Sequence, residues 1–498
     1  MEYNFLDLTL TPHDKNNIEL KISYLFHRHT PKNDYEVETY FFIPKNLAVN
    51  ERQLSNNDFY KRLHNYVRLK TPQINLDCVS NLKPSSPLIN LETAINNLIL
   101  NPGDYRLAKK YEYEIKMAGS IIKSSLRDYT EFIRDKKPAE NDRIRLLNQY
   151  LKYSESILAN ISRLWETICI PDFTESLLKQ FLWFEEYVLI TINLYSGVLC
   201  EIVKKRANTE REKNLAEQFE NLINKNLNYR QVKHNEPLPQ TETDKERYVR
   251  KARILKKFIS SVLFLNISVN EEKKKMEHIF YAFAAGISMI FATLFAFYFN
   301  SKYGNYSFPL LVALVVSYMG KDRMKAMGQE FSNRFLYKHG FDHKIKITVP
   351  DFKNSIGFCR EKMRFLKEKE TDDKIKILRQ LEDSDKLMKD VIGETILYYR
   401  KKINLFTDRI NMIYPEINGV IDIIRYSMVD FLENMDDPKT SLYIPEKDGF
   451  RWTSANKVYV VFFVAVLKFN NKEIIKNYRI VLNKNGIVKI VEEKAQKL

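Results

Sequence analysis

The residue types that most often do chemistry are present in this chain, but their spacing assembles no familiar catalytic site. The sequence contains no GxxxxGK[ST] or GxGxxG phosphate loop and no GxSxG nucleophile elbow. His339 and His343 have the four-residue spacing of two metal ligands on a helix face, but Gly340 lies between them and no glutamate completes an HExxH motif. We interpret them as surface histidines. The sequence predicts no metal and no cofactor, and an enzyme ranks third among the functions considered below.

The acidic pairs have structural explanations. Asp436 and Asp437 precede a proline, which is typical of a turn that ends a helix. Glu185 and Glu186 are adjacent, so on a helix their side chains diverge and cannot form a carboxylate dyad.

The first 50 residues alternate between apolar and polar side chains in two stretches, 18–26 and 35–43, which predicts an antiparallel hairpin with a turn near 29–34. Glu36 and Glu38 would then face Lys21, or the histidines of the turn region at 27 and 29, as ordinary cross-strand charge pairs.

The composition restricts the class of protein. A chain of 498 residues with 44 % hydrophobic residues can bury the cores of two or three domains. The net charge of +16 calls for an anionic neighbour. Aromatic residues fall on apolar stripes and are not interleaved with lysines, so anionic lipid is favoured over nucleic acid. The widely spaced cysteines argue against a zinc site or a disulfide framework and suit a reducing cytoplasm: Cys78, Cys169, Cys200 and Cys359.

Two uncharged stretches predict a membrane hairpin. Residues 279–299 (IFYAFAAGISMIFATLFAFYF) have the length of about 20 residues that crosses a bilayer core of about 30 Å. Residues 303–320 form a second, shorter uncharged stretch, and the short connection makes the two helices antiparallel neighbours. We expect transmembrane helices at 271–300 and 307–320, the second continuing to about 339. Ser268 and Glu271 have the spacing of a capping box that would begin the first helix.

Small residues recur at four-residue spacing in both stretches. At these positions helix backbones can approach closely inside a bilayer. The stripe predicts packing within the hairpin, and the alternative is a seam between copies of the chain: Ala284, Ser288, Ala292, Ala296, Ala313 and Ser317.

Basic residues set the expected orientation. The hairpin tip carries only Lys302, whereas the flank before it holds three lysines and the flank after it holds several lysines and arginines. Both termini are therefore predicted in the cytoplasm of a bacterial cell, with the hairpin in the inner membrane. Residues 244–270 predict a basic amphipathic helix beside the membrane. It would either lie in the headgroup layer or join a helical bundle. The expected contacts with anionic lipid headgroups are Arg247, Arg250, Lys251, Arg253, Lys256, Lys257, Lys321, Arg323 and Lys325.

The remaining segments predict an α+β fold around the hairpin. Residues 1–100 form an N-terminal α+β module, and 101–230 carry three apolar stripes of helical period that indicate an antiparallel bundle. Within the bundle, the uncharged run at 187–200 is too short to span a membrane and indicates a core helix. Residues 341–498 form an α+β domain in which 414–433 are expected to be helical. The domain ends in an antiparallel meander of three strands: 457–469, 473–483 and 486–491.

The chain resembles bacterial two-span inner-membrane proteins of unknown function in its hairpin and in four stretches of sequence. These stretches are YEVETYFFIPKNLAVN (35–50), FYKRLHNYVRLKTP (59–72), MDDPKTSLYIP (435–445) and RIVLNKNGI (479–487). The resemblance implies an inner-membrane location and carries no activity, cofactor or functional residue with it.

Three functions are compatible with these expectations. The first is a membrane-anchored interaction or signalling scaffold that grips anionic lipid and offers both soluble arms to a cytoplasmic protein partner. The second is a homo-oligomeric pore or membrane-perturbing effector. The third is a membrane-bound enzyme.

Overall fold

The computed structural model describes residues 6–26, 30–136, 138–169, 173–205, 210–304, 308–350, 355–380, 391–446, 449–469 and 472–493. Within them the chain is α+β, with 13 α-helices and 14 strands. It divides into two compact units. Residues 1–68 and 265–498 form the sheet unit, and residues 69–264 form the helical unit.

The strands, in chain order, are β1 (Leu6–Pro12), β2 (Asn17–Leu25), β3 (Lys32–Pro44), β4 (His64–Leu69), β5 (Asn266–Glu271), β6 (His343–Thr348), β7 (Ser355–Leu366), β8 (Glu394–Phe406), β9 (Gly419–Ser427), β10 (Lys439–Glu446), β11 (Gly449–Asn456), β12 (Tyr459–Phe469), β13 (Lys472–Asn483) and β14 (Gly486–Glu493).

The helices are α1 (Asn56–Arg62), α2 (Leu76–Ser80), α3 (Pro87–Leu100), α4 (Tyr105–Lys136), α5 (Glu140–Ile168), α6 (Glu175–Lys204), α7 (Glu210–His234), α8 (Glu242–Ser260), α9 (Glu272–Tyr303), α10 (Phe308–His339), α11 (Asp373–Gln380), α12 (Thr407–Ile413) and α13 (Val429–Leu432).

The sheet unit contains an eight-stranded sheet in the order β14-β13-β12-β3-β8-β7-β6-β5 and a four-stranded sheet in the order β1-β2-β9-β4. Every pairing within them that the structure describes is antiparallel. The two sheets meet face to face around aromatic side chains. Tyr426 of β9 packs edge-on against Phe41 of β3 with ring centroids 5.0 Å apart, and its hydroxyl lies 3.1 Å from the Thr39 hydroxyl.

The C-terminal meander predicted from the sequence is confirmed, because β12, β13 and β14 pair in succession. The predicted N-terminal hairpin is wrong. β2 pairs with β1 and β9 in the smaller sheet, whereas β3 pairs with β8 and β12 in the larger one. Glu36 therefore pairs with Arg400 and Glu38 with Lys468, not with Lys21. His27 and His29 lie outside the described residues.

The domain boundaries also differ from the prediction. Residues 1–100 and 341–498 were expected to form separate modules, but the first 68 residues and the C-terminal strands share both sheets. The physical reason is that a strand inside a sheet needs a hydrogen-bonded partner along each of its two edges, and β3 finds these partners in β8 and β12, far away in the sequence.

Two other local predictions fail. Residues 414–433 contain the strand β9 instead of one helix, because a strand buried on both faces loses the two-residue alternation that separates strands from helices. Ser268 and Glu271 form no capping box, since residues 266–271 are the strand β5 and α9 begins directly after it. Ser55 caps α1, where its side chain accepts a hydrogen bond from the Asp58 amide.

The helical unit contains the three long helices that the apolar stripes predict, α4, α5 and α6. In α6, 56 % of the most apolar window is buried, as expected for a core helix. The predicted basic helix is α8, which packs on α4: Ile259 is fully buried, and a Cβ placed on Gly119 would lie 2.8 Å from its side chain.

Candidate functional site: an apolar hairpin on a polar base

The candidate functional site of the sheet unit is the α9–α10 hairpin, because its apolar surface is exposed. Only 6 % of the most apolar window of α9 is buried. Large apolar side chains lie outside on both helices, including Phe283, Leu294, Phe297, Leu311 and Tyr318, each more than half exposed. A soluble protein rarely exposes a contiguous apolar surface of this kind. The surface is therefore one that an apolar medium or a partner would cover.

The predicted stripe of small residues lies in the seam between the two helices. The Ser317 hydroxyl donates to the Ala292 carbonyl at 3.0 Å, and a Cβ on Gly328 would lie 2.8 Å from the Ala284 Cβ. Ser288 and Ala313 are buried, and Ala296 is half-buried. The stripe is thus occupied by packing within one hairpin.

The register of the seam brings charges beside the apolar run of α9. Because Ser317 lies opposite Ala292 and Gly328 opposite Ala284, the end of the uncharged run at Gly320 is about level with Ile290. The two uncharged runs are therefore offset by roughly ten residues, or about 15 Å at 1.5 Å per residue. The charged residues that follow are level with the middle of the α9 run: Lys321, Asp322, Arg323 and Lys325.

This offset revises the interpretation of the second span. By length and hydropathy, α6 and α9 are the helices, among the described residues, that could cross a membrane, and α10 does not meet the same test. The region in which both hairpin helices are uncharged is about 13 residues long, which corresponds to about 20 Å. A bilayer core is about 30 Å thick. The region in which both helices are uncharged is therefore about 10 Å shorter than a bilayer core is thick.

The base of the hairpin is joined to the larger sheet through Asp342. Its carboxylate accepts hydrogen bonds from the Tyr60 hydroxyl and the Met363 amide, both at 2.9 Å. Its carbonyl accepts the Glu272 amide at 3.0 Å, at the first turn of α9. One residue thus connects the end of α10, the beginning of α9 and strand β7.

Two basic residues of β7 complete the base. Arg360 forms an ion pair with Glu272 at 2.9 Å. Lys362 donates to the Lys338 carbonyl in the last turn of α10 at 3.2 Å, where a cation complements the helix dipole. Burial beside Arg364 and Arg400 lowers the pKa of Lys362 to about 8.

Beneath this base lies a buried ion pair between the two sheets. Lys401 of β8 donates to Asp422 of β9 at 2.5 Å and also to the Asn65 side chain of β4. The exposed fractions of Lys401 and Asp422 are both 0 %. Burial acts to lower the pKa of Lys401, but the neighbouring carboxylate of Asp422 outweighs it and raises this pKa. Burial raises the pKa of Asp422, although Lys401 and Tyr35 hydrogen-bond to it.

A chain of polar contacts links this ion pair to the hairpin base. Asn65 donates to Glu361 at 2.9 Å, and Tyr399 donates to the same carboxylate at 2.6 Å. His343 lies 3.6 Å from Glu361, and its ring packs on Tyr60 with centroids 4.2 Å apart. Burial opposes ionisation of Glu361, but hydrogen bonds from His343 and Tyr399 and the charge of Lys401 hold its pKa below the usual value.

His343 was predicted to be a surface histidine, and the structure instead makes it a part-buried member of this chain, with 17 % of its side chain exposed. Lys401 and Asp422 were missed. The sequence feature that could have identified them is a charged residue inside an otherwise apolar strand, as in VIDIIRY around Asp422. Among the described residues, no group of three His, Cys, Asp or Glu side chains is arranged to hold a metal.

The basic residues of α8 divide into two sets within the helical unit. Lys251 lies 2.6 Å from Glu236 and 2.8 Å from Glu186, and Arg247 also pairs with Glu236, at 3.3 Å. The other four expected lipid contacts of this helix are exposed: Arg250, Arg253, Lys256 and Lys257. Because 59 % of the Arg247 side chain is exposed as well, an anionic surface can reach it together with these four residues.

Glu185 and Glu186 do not diverge into separate surroundings as expected. Both are buried and meet basic residues of α7. Lys233 lies 2.8 Å from Glu185, and Arg230 lies 2.8 Å from Glu186, while His234 lies within 4.0 Å of both carboxylates. The cluster is a compensated ion network that joins α6 to α7.

Comparison with known proteins adds no relative. No protein family, no curated protein and no solved structure matches the chain. The resemblance to bacterial two-span membrane proteins stays a prediction.

The hairpin seam makes a first prediction. Gly328→Ala places a methyl group 2.8 Å from Ala284, so the helices must separate, and we expect a loss of about 1–3 kcal/mol, the usual range for overpacking. Gly320→Ala is the matched control, because its Cβ meets nothing within 4 Å and alanine favours the helix. Melting of helical circular dichroism in the full chain measures both. Equal melting temperatures for the two variants would contradict this seam.

The buried ion pair makes a second prediction. Lys401→Met leaves Asp422 charged and unpaired, and Asp422→Leu does the same to Lys401, so each should lower the free energy of unfolding by about 3–5 kcal/mol. The double variant should recover most of the loss, because an apolar pair of similar volume needs no desolvation. Chemical denaturation of the full chain tests this cycle. Additive losses in the double variant would show that the two charges do not depend on each other.

Proposed function

We propose that this protein is a membrane-anchored scaffold in which the α9–α10 hairpin enters the bilayer and the sheet and helical units present surfaces to a partner in the cytoplasm. The observation that carries the proposal is the exposure of α9, an apolar helix long enough to span a membrane of which almost nothing is buried. Burying this surface in hydrocarbon gains roughly 25 cal/mol per Å².

Support for a scaffold, as opposed to an isolated anchor, comes from the base of the hairpin. Asp342, Arg360 and Lys362 join both helices to β7, and the polar contacts continue to the buried Lys401–Asp422 pair. These contacts fix the orientation of the sheet strands relative to the hairpin. A flexible linker in their place would let the strands rotate freely about the hairpin. A rigid joint suits a protein that displays a surface at a defined angle to the membrane.

The orientation follows the distribution of basic residues. The hairpin tip carries only Lys302, while the α10 base and the preceding lysines of α9 carry many positive charges, which favour the cytoplasmic side. Lys321, Arg323 and Lys325 then lie at or just below the cytoplasmic headgroups. At that depth they contact anionic lipid. In bacteria this membrane is the inner membrane.

A third prediction tests insertion. Leu294 lies in the middle of the α9 run and is 60 % or more exposed, as is Leu194 on α6. Replacing leucine by lysine at the centre of an inserted helix costs about 3 kcal/mol. We therefore expect Leu294→Lys to weaken retention in the membrane pellet after carbonate extraction, and the matched control Leu194→Lys to leave it unchanged. A wild-type protein that carbonate extracts completely would refute the anchor itself.

A second candidate function is an oligomeric pore. One observation favours it: the charged residues of α10, Lys321, Asp322, Arg323 and Lys325, which we call the charged row, lie beside the apolar run of α9. Charges at that depth are costly against lipid but stable along a water-filled lumen between several hairpins. The seam argues in the other direction, because the small residues that a contact between copies would use are packed within one hairpin.

A fourth prediction separates the two functions. For the scaffold, native mass spectrometry in lipid should give a monomer or a dimer, and planar bilayers should show no conductance. A pore should give a ring of several subunits, and the double variant Lys321→Gln, Arg323→Gln should then shift its reversal potential towards cation selectivity, since the row carries a net positive charge. A closed ring with such a shift would replace the scaffold by the pore.

A further inference from the structure

The sheet unit carries a second exposed apolar feature, the ribbon formed by β10 and β11, which we call the aromatic ribbon. These two strands pair only with each other among the strands described, as a separate two-stranded sheet. Its register places Tyr443 opposite Trp452 and Pro445 opposite Phe450 on one face. The Tyr443 ring stacks on Phe450 at 5.6 Å and lies 5.2 Å from Trp452.

The ribbon exposes apolar side chains on both faces. Tyr443, Phe450 and Trp452 are 57 %, 63 % and 70 % exposed on the aromatic face, and Leu442 and Ile444 are 42 % and 38 % exposed on the other. A two-stranded ribbon alone is marginally stable in water. A protein partner docked on one face would leave the other uncovered, whereas a lipid headgroup layer surrounds an inserted ribbon on both.

The position of the ribbon in the sheet points to the same membrane. Following the antiparallel registers across the eight-stranded sheet, the end of β5, the beginning of β6, the end of β3 and the beginning of β12 all point to the same side of the sheet. They are not level, because His343 is in register with Leu467, so β12 begins eight residues, or about 26 Å, further out on that side than β6. The hairpin leaves from β5 and returns to β6, and the ribbon leads directly into β12. A hydrogen bond from the Lys457 amide to the Pro438 carbonyl, 2.9 Å, closes the base of the ribbon.

We infer that the aromatic ribbon is a second membrane contact, which lies in the headgroup layer of the bilayer that the hairpin enters. Four strand spacings, or about 20 Å, separate β6 from β12 across the sheet, so the ribbon is displaced sideways from the hairpin base as well as outward along the strands. Lys321 lies 18 residues, or about 27 Å along α10, from His339 at the end of that helix. Tryptophan and tyrosine are the residues that favour this layer, because their rings combine an apolar body with a polar atom. The inference rests on the proposed anchoring and adds a second point of attachment, which would fix the tilt of the sheet unit.

Tryptophan fluorescence tests the inference directly. The full-length protein is placed in vesicles of phosphatidylcholine and phosphatidylglycerol that carry a spin label either near the headgroup or near the end of the acyl chain. Trp452 is one of three tryptophans, so the shallow label should quench up to about one third of the emission. The deep label should quench at least about twofold less. Trp452→Phe should abolish this quenching, and the control Trp183→Phe, which removes another exposed tryptophan, should retain it.

Carbonate extraction of the same vesicles distinguishes failure of the ribbon from failure of the anchor. If the protein stays in the pellet and Trp452 is quenched by aqueous acrylamide but not by the spin-labelled lipids, the ribbon inference is overturned and the anchor stands. If Trp452 is shielded from both quenchers, a protein contact covers it, and the lipid contact is equally overturned. If the protein leaves the membrane altogether, the proposed function fails first.

Discussion

The pairing of β5 with β6 is the constraint on which the arrangement of this protein depends. Glu271 at the end of β5 is the register partner of His343 at the beginning of β6, so α9 must begin and α10 must end side by side. Whatever medium receives the hairpin, its two ends return to the same place. The larger sheet can therefore close around β3 with strands drawn from both sides of the hairpin in the sequence. An anchor that crossed the membrane once would separate these strands on opposite faces.

The same constraint fixes the charges of α10 beside the apolar run of α9. A hairpin with short turns has no freedom to slide one helix along the other, because Ala284, Ala292, Ser317 and Gly328 interlock in the seam. The offset between the two uncharged runs is thus built into the packing. A bilayer can accommodate it by thinning locally, or the long lysine and arginine side chains can extend towards the headgroups. Both responses would act at the half of the hairpin to which the sheet unit is attached.

Much of the local structure could be predicted from the sequence, and the pairings could not. The stripes of α4 to α6, the uncharged run of α9 and the alternation in β12 to β14 are signals contained within single elements. The partners of β3 lie more than 350 residues further along the chain, and no local pattern distinguishes them from the neighbouring β2. The prediction for β9 failed for a different reason, since burial on both faces removed the two-residue alternation of polar and apolar side chains that identifies a strand. Of the candidate site, the seam residues followed from their spacing, but their alignment with the charges depended on the register.

The buried Lys401–Asp422 pair places two charges in a core that is otherwise mostly apolar. Replacing such pairs by apolar residues is often neutral or stabilising, so stability is not a sufficient reason to retain one. Its effect here is on specificity. Asp422 in β9 must face Lys401 in β8, and a one-residue slip of β9 would turn its carboxylate to the other side of the sheet and leave the lysine buried alone. Because Asn65 and Glu361 continue the contacts to His343 and the hairpin base, the pair that selects the register of the two sheets also determines where the hairpin stands on them.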